Sequence, residues 1–429
     1  MVSVVPALPL NPASCGLALT LRMPAGQIDL NHGERPEGVD IDRAVCDREL
    51  LRPLLDISAF METNDIYSAV VIQPEIESVG HRKEIAQNLN RYLELMETTY
   101  FVKMEVPEST RNYESYAPVR LVAFPEAFLT SFSIEEKVSR LDDILREVVI
   151  QIPGEETDKL GEKAQQLGIY ICGCAFEFDP EWPDRFFNCA FILDPNGRVI
   201  HKYRKFNPAI EWELTSSPHD IFDEYVQRYG KGKSLTQTFF PVTETPIGKL
   251  GTLICNDGFW PEHFRALAMN GAEIIIRSNL PEPYVSAPME TWELQNRLNA
   301  QANMVYVVAP NTGLAHRWAV KCTNPGDSMI VDYDGIVIAR TPYPGEAMTA
   351  GIIRLDHLRR RRADPLHNLL SQLRTEVLRE IYKESVYPPN TLSKKKITHA
   401  KELYKRGAQE LGVMHTLFKR GVFTRPTQR

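Results

Sequence analysis

Apolar runs alternate with stretches of helical periodicity along most of the chain. Residues 67–73 (YSAVVIQ) and 119–124 (VRLVAF) read as strands. Unbroken runs such as VVI and, later, III are what strands covered on both faces look like. Between those two strands Ile85, Leu89, Tyr92, Leu93 and Met96 recur at helical spacing. Ser133-Ile134-Glu135-Glu136 has capping-box form and predicts a helix along Val138, Leu141, Leu145 and Val148. A further helix runs to Leu167 and stops at Gly168, and 169–178 reads as strand. Asp194-Pro195-Asn196-Gly197 closes a hairpin between 187–193 and 198–203. Strand 250–254 breaks abruptly at Cys255-Asn256-Asp257-Gly258. Pro261 then opens a helix, because the first helical position has no use for the N–H that proline lacks. Phe264, Leu267 and Ala268 follow at helical spacing, and Gly271 is placed to end that helix. Strand 273–277, helix 289–303 and strand 305–310 come next. A second hairpin, 328–331 with 336–340, is closed by Asp332-Tyr333-Asp334-Gly335. Strands alternating with helices, plus one long hairpin in each half, predict a mixed α/β sandwich.

The two ends follow other patterns. Residues 1–65 are rich in Pro, Asn and Gly to about position 47, and Leu50, Leu51, Leu54, Leu55 and Ile57 then suggest a short amphipathic helix. This segment reads as an extension wrapping the main domain, 66–384, or a neighbouring subunit. A helical stretch over 355–382 carries four consecutive arginines at 359–362, read as a solvated face with salt bridges between subunits. From 385 to 429 the chain turns basic and loop-like, which suits an arm docking electrostatically on an acidic body. A homo-oligomer is therefore expected.

Composition narrows the function classes. The chain has 429 residues, 43% hydrophobic and 24% charged, which leaves ample material for a core. A net charge of -7 argues against nucleic acid as the main partner. Seven cysteines, an odd number without C-x-x-C pairs, imply neither a disulfide framework nor a zinc ribbon. A reducing compartment, the cytoplasm, fits that usage. The N-terminus lacks the basic and apolar regions of a secretory signal, and no apolar stretch has the length to span a bilayer.

Three charged or nucleophilic groups occupy one structural position. Glu126 follows strand VRLVAFP, Lys205 follows RVIHKYR, and Cys255 follows KLGTLI. If these strands share a sheet, all three side chains emerge at its carboxyl edge, where α/β folds place ligands. A cysteine at a strand-to-helix turn also lies near backbone N–H groups and a positive helix end, which favour thiolate. The carboxylate can take the thiol proton, the sulfur can attack a carbon bonded to nitrogen, and the ammonium can stabilise the oxyanion that develops. The carboxylate can then return its proton to the leaving amine and later activate water. No metal or organic cofactor is implied, because lysine performs the electrophilic task.

With these residues in place, the chain resembles the nitrilase (carbon–nitrogen hydrolase) superfamily. Its marks are a strand ending in P-E, a hairpin leading into Y-R-K, and a turn I-C-x-D. They stand here as Phe124-Pro125-Glu126, Lys202-Tyr203-Arg204-Lys205 and Ile254-Cys255-Asn256-Asp257. Secondary similarities extend from about 67 to 385. The resemblance implies a four-layer α-β-β-α sandwich, with Glu126 as general base, Lys205 as oxyanion-stabilising cation and Cys255 as nucleophile. It also implies the backbone N–H of Asn256 as a second oxyanion donor. Many members add a second glutamate after the lysine. Glu211 and Glu213 both fall in that window, and Glu211 is preferred because 207–211 resembles the P-x-x-I-E run of the amidase branch, although the spacing differs.

The nucleophile turn lacks the C-W-E of true nitrilases and is closer to the aliphatic amidase and formamidase pattern. The segment 212–240 is longer than a plain link needs, and long insertions beside a site often act as lids or pocket walls. Phe128, Trp212, Arg277 and Ser278 are candidates to line the pocket. The expected activity is hydrolysis of a small linear amide to carboxylic acid and ammonia through a thioester. The alternative is an N-carbamoyl amino acid, whose distal carboxylate Arg277 or His219 could hold; a nitrile substrate comes behind both. A catalytically idle scaffold is the reading from outside enzymology.

Overall fold

A computed structural model describes residues 65–101, 117–131, 138, 140–209, 213–280, 290–317, 320–323, 326–403 and 412–426. The first strand, β1 (Ile66–Gln73), sets the logic of the layers. Side chains alternate across a strand. Tyr67, Ala69 and Val71 enter the layer between two sheets, while Val70 and Ile72 enter the layer beneath the helices. This strand lies inside a six-stranded sheet ordered β15-β1-β3-β4-β5-β6. Its other members are β3 (Val119–Ala123), β4 (Tyr170–Glu177), β5 (Phe187–Leu193), β6 (Val199–Arg204) and β15 (Ala347–Arg354). Strands β1, β3 and β4 are parallel; β5 and β6 add the antiparallel hairpin, so β6 again runs with β3.

A second six-stranded sheet, ordered β14-β13-β10-β9-β8-β7, faces the first. It comprises β7 (Val242–Thr245), β8 (Gly248–Ile254), β9 (Ile274–Ser278), β10 (Tyr306–Ala309), β13 (Met329–Val331) and β14 (Val337–Arg340). The small third sheet joins β2 (Glu75–Ile76), β11 (Leu314–Arg317) and β12 (Val320–Thr323). Leu121, Ile192, Leu250, Ile274, Ile276, Val308 and Ile330 fill the space between the two large sheets. The outer face of the first sheet is covered by α1 (Arg82–Phe101), α2 (Leu141–Glu147) and α3 (Glu155–Leu167). The outer face of the second is covered by α6 (Pro261–Met269) and α7 (Glu290–Asn303), while α4 (Phe222–Tyr229) and α5 (Leu235–Phe239), from the long insertion, pack against Arg204 and Phe206 at the end of β6. The result is the expected α-β-β-α stack.

Several local expectations are met in detail. Gly168 ends α3 in the left-handed region at φ 65°, and Gly197 and Gly335 take positive φ in the two hairpin turns. Others are corrected. Helix α2 starts at Leu141, so Val138 lies outside it; the capping box at 133–136 and the amphipathic run at 50–57 lie outside the described residues. The stretch 355–382 is not one helix: α8 (Leu355–Ala363) gives way at Asp364, and only short turns and α9 (Thr375–Leu378) follow. Three of its four arginines reach partners in this same chain beyond α8: Arg359 holds Glu273 and Asp65, Arg361 holds Asp334, and Arg362 donates to the Met304 and Ala272 carbonyls. Arg360 pairs with Asp356 one turn away.

The basic tail also lies against its own chain where it is described. Asn390 and Leu392 donate backbone N–H groups to the His219 and Asp220 carbonyls. Leu392, Ile397, Ala400 and Leu403 are buried in the core beneath the first sheet. A last helix, α10 (Val413–Lys419), follows.

Candidate active site

The three expected groups do meet, but not on one sheet. Glu126 follows β3 and Lys205 follows β6, both at the carboxyl edge of the first sheet. Cys255 follows β8 of the second. The carboxyl ends of the two sheets come together: Ser278 Oγ, at the end of β9, donates to the Phe124 carbonyl at 2.9 Å. Cys255 therefore faces Glu126 and Lys205 across the sandwich.

Lys205 Nζ donates to Glu126 Oε1 at 2.7 Å and to Glu213 Oε2 at 2.6 Å, and all three side chains are buried. The Cys255 thiol, 3.9 Å from the Leu280 carbonyl, lies near enough to the same Glu126 carboxylate for each to act on the other's charge. Leu280 N–H donates to Glu126 Oε2 at 3.1 Å, which fixes the plane of the carboxylate. Glu213 N–H donates to the Ala209 carbonyl at 3.1 Å. Its carboxylate also accepts from Ala209 N–H at 3.0 Å and Thr215 Oγ1 at 2.9 Å. Glu211 and Trp212 lie outside the described residues; the second glutamate that the structure sets on Lys205 is Glu213.

Asn188 was not singled out in the sequence. It lies in β5, and its Nδ2 donates to Glu126 Oε1 at 2.7 Å and to Glu213 Oε1 at 2.9 Å. The Cys174 thiol, 3.2 Å from Asn188 Oδ1, holds the amide in that orientation. The available signal was a polar amide inside the apolar run FNCAFIL. A buried polar group almost always has a partner to satisfy.

The nucleophile turn is a five-residue 3-10 segment, Cys255–Phe259. Cys255 takes φ 45°, which is uncommon for a residue with a Cβ and is held only where the surroundings impose it. Asp257 supplies much of that constraint. Its carboxylate accepts from Tyr203 Oη at 2.7 Å, Ile254 N–H at 3.2 Å and Asn207 N–H at 2.8 Å. The Asn256 side chain adds a bond to the Asn207 carbonyl at 3.0 Å. The turn carrying sulfur is thus tied to the loop that follows Lys205.

Electrostatics separates the two carboxyls. Burial, reinforced by Glu213 and opposed by the Lys205 ammonium, raises Glu126 to about 7. Burial also pushes Glu213 up, but Lys205, Asn188 and Ala209 N–H more than offset it, and Glu213 ends below its usual value. Burial disfavours the Lys205 ammonium, yet two carboxylates hold it well above the ordinary lysine range. The expectation of a standing thiolate at Cys255 is not met. Burial and the adjacent Glu126 charge push the thiol up, so the resting thiol is neutral.

Phe128, Arg277 and Ser278 do not form a pocket wall together. Phe128 is core, stacked on Phe124 at 4.7 Å and 5.4 Å from Tyr92. Ser278 is buried where the sheets meet. Arg277 points beneath α7, where it donates to Asn296 Oδ1, Gln295 Oε1 and the Cys255 carbonyl. His219 packs against Phe206, Phe222 and Tyr387. Among the described residues no cluster of His, Cys, Asp or Glu has the arrangement of a metal site. No described helix is long and apolar enough to cross a membrane.

A family profile for carbon-nitrogen hydrolase matches residues 69–363. The chain belongs to that family. This hydrolase acts on carbon–nitrogen bonds, and it is 26% identical over 292 residues to a formamidase of Bacillus thuringiensis (strain Al Hakam), spanning 67% of this chain and 74% of that one. A formamidase of Bacillus cereus (strain AH820) is 28% identical over 243 residues, 55% of this chain and 63% of its own. Among solved structures, Saccharomyces cerevisiae Nit3, a member of branch 10 of the nitrilase superfamily, aligns with a TM-score of 0.53 at 22% identity, over 70% of the hydrolase and 95% of Nit3. A mutant of the Nesterenkonia AN1 amidase aligns with a TM-score of 0.51 at 16% identity, over 73% of the hydrolase and 97% of the amidase. These last two are likenesses of fold.

Proposed function

We propose that the hydrolase converts a small linear amide to a carboxylic acid and ammonia through a thioester on Cys255. The observation that carries this reading is the buried Glu126–Lys205 pair with the Cys255 thiol beside it, tied through Leu280, and Glu126 raised to about 7. A base near neutrality can accept the thiol proton at the moment sulfur attacks and still give it up afterwards. The sulfur–carbon bond forms, the carbonyl π pair moves onto oxygen, and Lys205 with the Asn256 N–H stabilises that oxyanion. Collapse expels the nitrogen, which takes its proton from Glu126. Water then loses a proton to Glu126 and attacks the thioester, releasing the acid and the thiol. Glu213, by its bond to Lys205, takes the second-carboxylate role expected of Glu211.

A simple amide is preferred to an N-carbamoyl amino acid because the two groups considered for a distal carboxylate are engaged elsewhere. Arg277 lies behind the nucleophile, and His219 sits among aromatic rings. The formamidase relatives support the same choice. Ammonia release from a panel of short amides, N-carbamoyl amino acids and nitriles tests it, with the amides expected to turn over fastest. Turnover confined to carbamoyl compounds or nitriles would displace this reading. An idle scaffold predicts instead that iodoacetamide modifies Cys255 no faster than the other cysteines. A homo-oligomer is proposed as well, on the exposed Leu366, Val377, Ile381 and Tyr382; a monomer in sedimentation would refute it.

A further inference from the structure

Arg277 is a buried cation with an unusual set of partners. It is 1% exposed, and no carboxylate among the described residues pairs with it. Its guanidinium stacks 4.5 Å from the Trp292 ring centre. Nη1 donates to Asn296 Oδ1 at 2.9 Å; Nη2 donates to Gln295 Oε1 at 2.8 Å and to the Cys255 carbonyl at 3.1 Å. Every one of these acceptors is neutral. Burying a full charge against neutral groups is costly, so a compensating use is to be sought at the one acceptor that belongs to the nucleophile.

The Cys255 carbonyl and the Asn256 N–H are two ends of one peptide plane. In a trans peptide they point in opposite directions. A donor that grips the carbonyl from below α7 therefore aims the N–H away from itself. That N–H has no acceptor among the described residues. A positive charge on the carbonyl oxygen also polarises the peptide and makes its N–H a stronger donor, as in any chain of hydrogen bonds.

We infer that Arg277 is a positioning residue for the oxyanion site: it clamps and polarises the Cys255–Asn256 peptide so that the Asn256 N–H meets the developing oxyanion. The inference rests on the proposed thioester chemistry and adds a residue that acts through the backbone, without touching substrate. It also explains Gly258. A Cβ there would lie 1.9 Å from Arg277 Cζ and 2.0 Å from Nε, so only glycine leaves room for the guanidinium beneath the turn.

The test compares Arg277→Lys, Arg277→Met and Gly258→Ala with the unaltered protein, each checked for folding by circular dichroism. Ammonia release from a short amide gives kcat and KM, and the rate of Cys255 alkylation by iodoacetamide is read alongside. Alkylation uses the thiol and its base but develops no oxyanion. Arg277→Met should lower kcat by about 100-fold or more, the size seen when one oxyanion donor is removed. KM should move little, and alkylation should change by less than a tenth of that factor. Arg277→Lys, which keeps one donor for the Cys255 carbonyl, should recover part of kcat. Gly258→Ala, which displaces the guanidinium from the other side, should reproduce the defect with Arg277 present.

An unchanged kcat in folded Arg277→Met or Gly258→Ala overturns the inference. So does a raised KM at constant kcat, which marks a substrate contact, or equal losses in turnover and alkylation, which mark a general disturbance of the site. If Arg277→Met does not fold, Gly258→Ala and Arg277→Lys decide by the same comparison. Failure of the unaltered protein to hydrolyse any amide strikes the proposed function itself, and is separate from an active enzyme that ignores these substitutions.

Discussion

At Cys255, the proposed chemistry depends on one atom. Cys255→Ala removes sulfur at a turn whose geometry is held by Asp257 and Arg277, so turnover should vanish while the circular dichroism spectrum stays unchanged. Residual ammonia release above background would dismiss the cysteine. The pH profile follows from Glu126. Its base form is required, so kcat/KM should fall as pH drops through about 7. Glu213 is a negative neighbour that helps to raise Glu126. Glu213→Gln should therefore move the acid limb to lower pH, whatever it does to the plateau. Asn188→Leu should act oppositely, because loss of a donor to the ionised carboxylate favours the protonated form. Limbs that stay in place in both variants would mean that another group sets the profile. Glu126, Lys205 and Cys255 were legible because each stands just after a strand. Asn188 and Glu213 were harder to read, the first hidden inside a strand, the second dependent on a turn that local spacing does not fix. The orientation of Arg277 was partly readable from alternation, since it shares its face of β9 with Ile275, on the helix side.

Among the elements, the hairpins and apolar strands were readable because turn chemistry and a two-residue period are local properties. Which strand joins which sheet was not, since partnership depends on residues far apart in the chain. That is why the three groups could be referred to one sheet edge where the structure divides them between two sheets. The helix after 355 failed for another reason: Asp364-Pro365 disfavours helical backbone before the proline, and the apolar positions beyond it serve the surface. Helix α3 meets the first hairpin by close backbone approach. A Cβ on Gly161 would lie 2.4 Å from the Gly197 carbonyl oxygen. Gly161→Val should cost about 1–3 kcal/mol, the range for overpacking a close contact, against a helix-propensity gain of under about 1 kcal/mol. Urea unfolding measures the difference, and a stability equal to that of the unaltered protein would mean the hairpin shifts freely.

On the scale of the molecule, the described part of the tail lies on the core of its own chain. Leu392 and Ile397 are each worth about 1.5–3 kcal/mol when fully buried. Removing 387–429 should lower the melting temperature by several degrees, to the same extent at any protein concentration. A loss that grows on dilution would return the tail to a role between subunits. The division of the site between sheets reaches beyond the finished enzyme. Strands β1 and β3 to β6 lie N-terminal to Cys255, so a chain emerging from the ribosome makes Glu126 and Lys205 before the Cys255 sulfur can be placed against them. Premature chemistry is thereby impossible, and accelerated labelling of Cys255 during refolding becomes a clock for the last docking event in maturation.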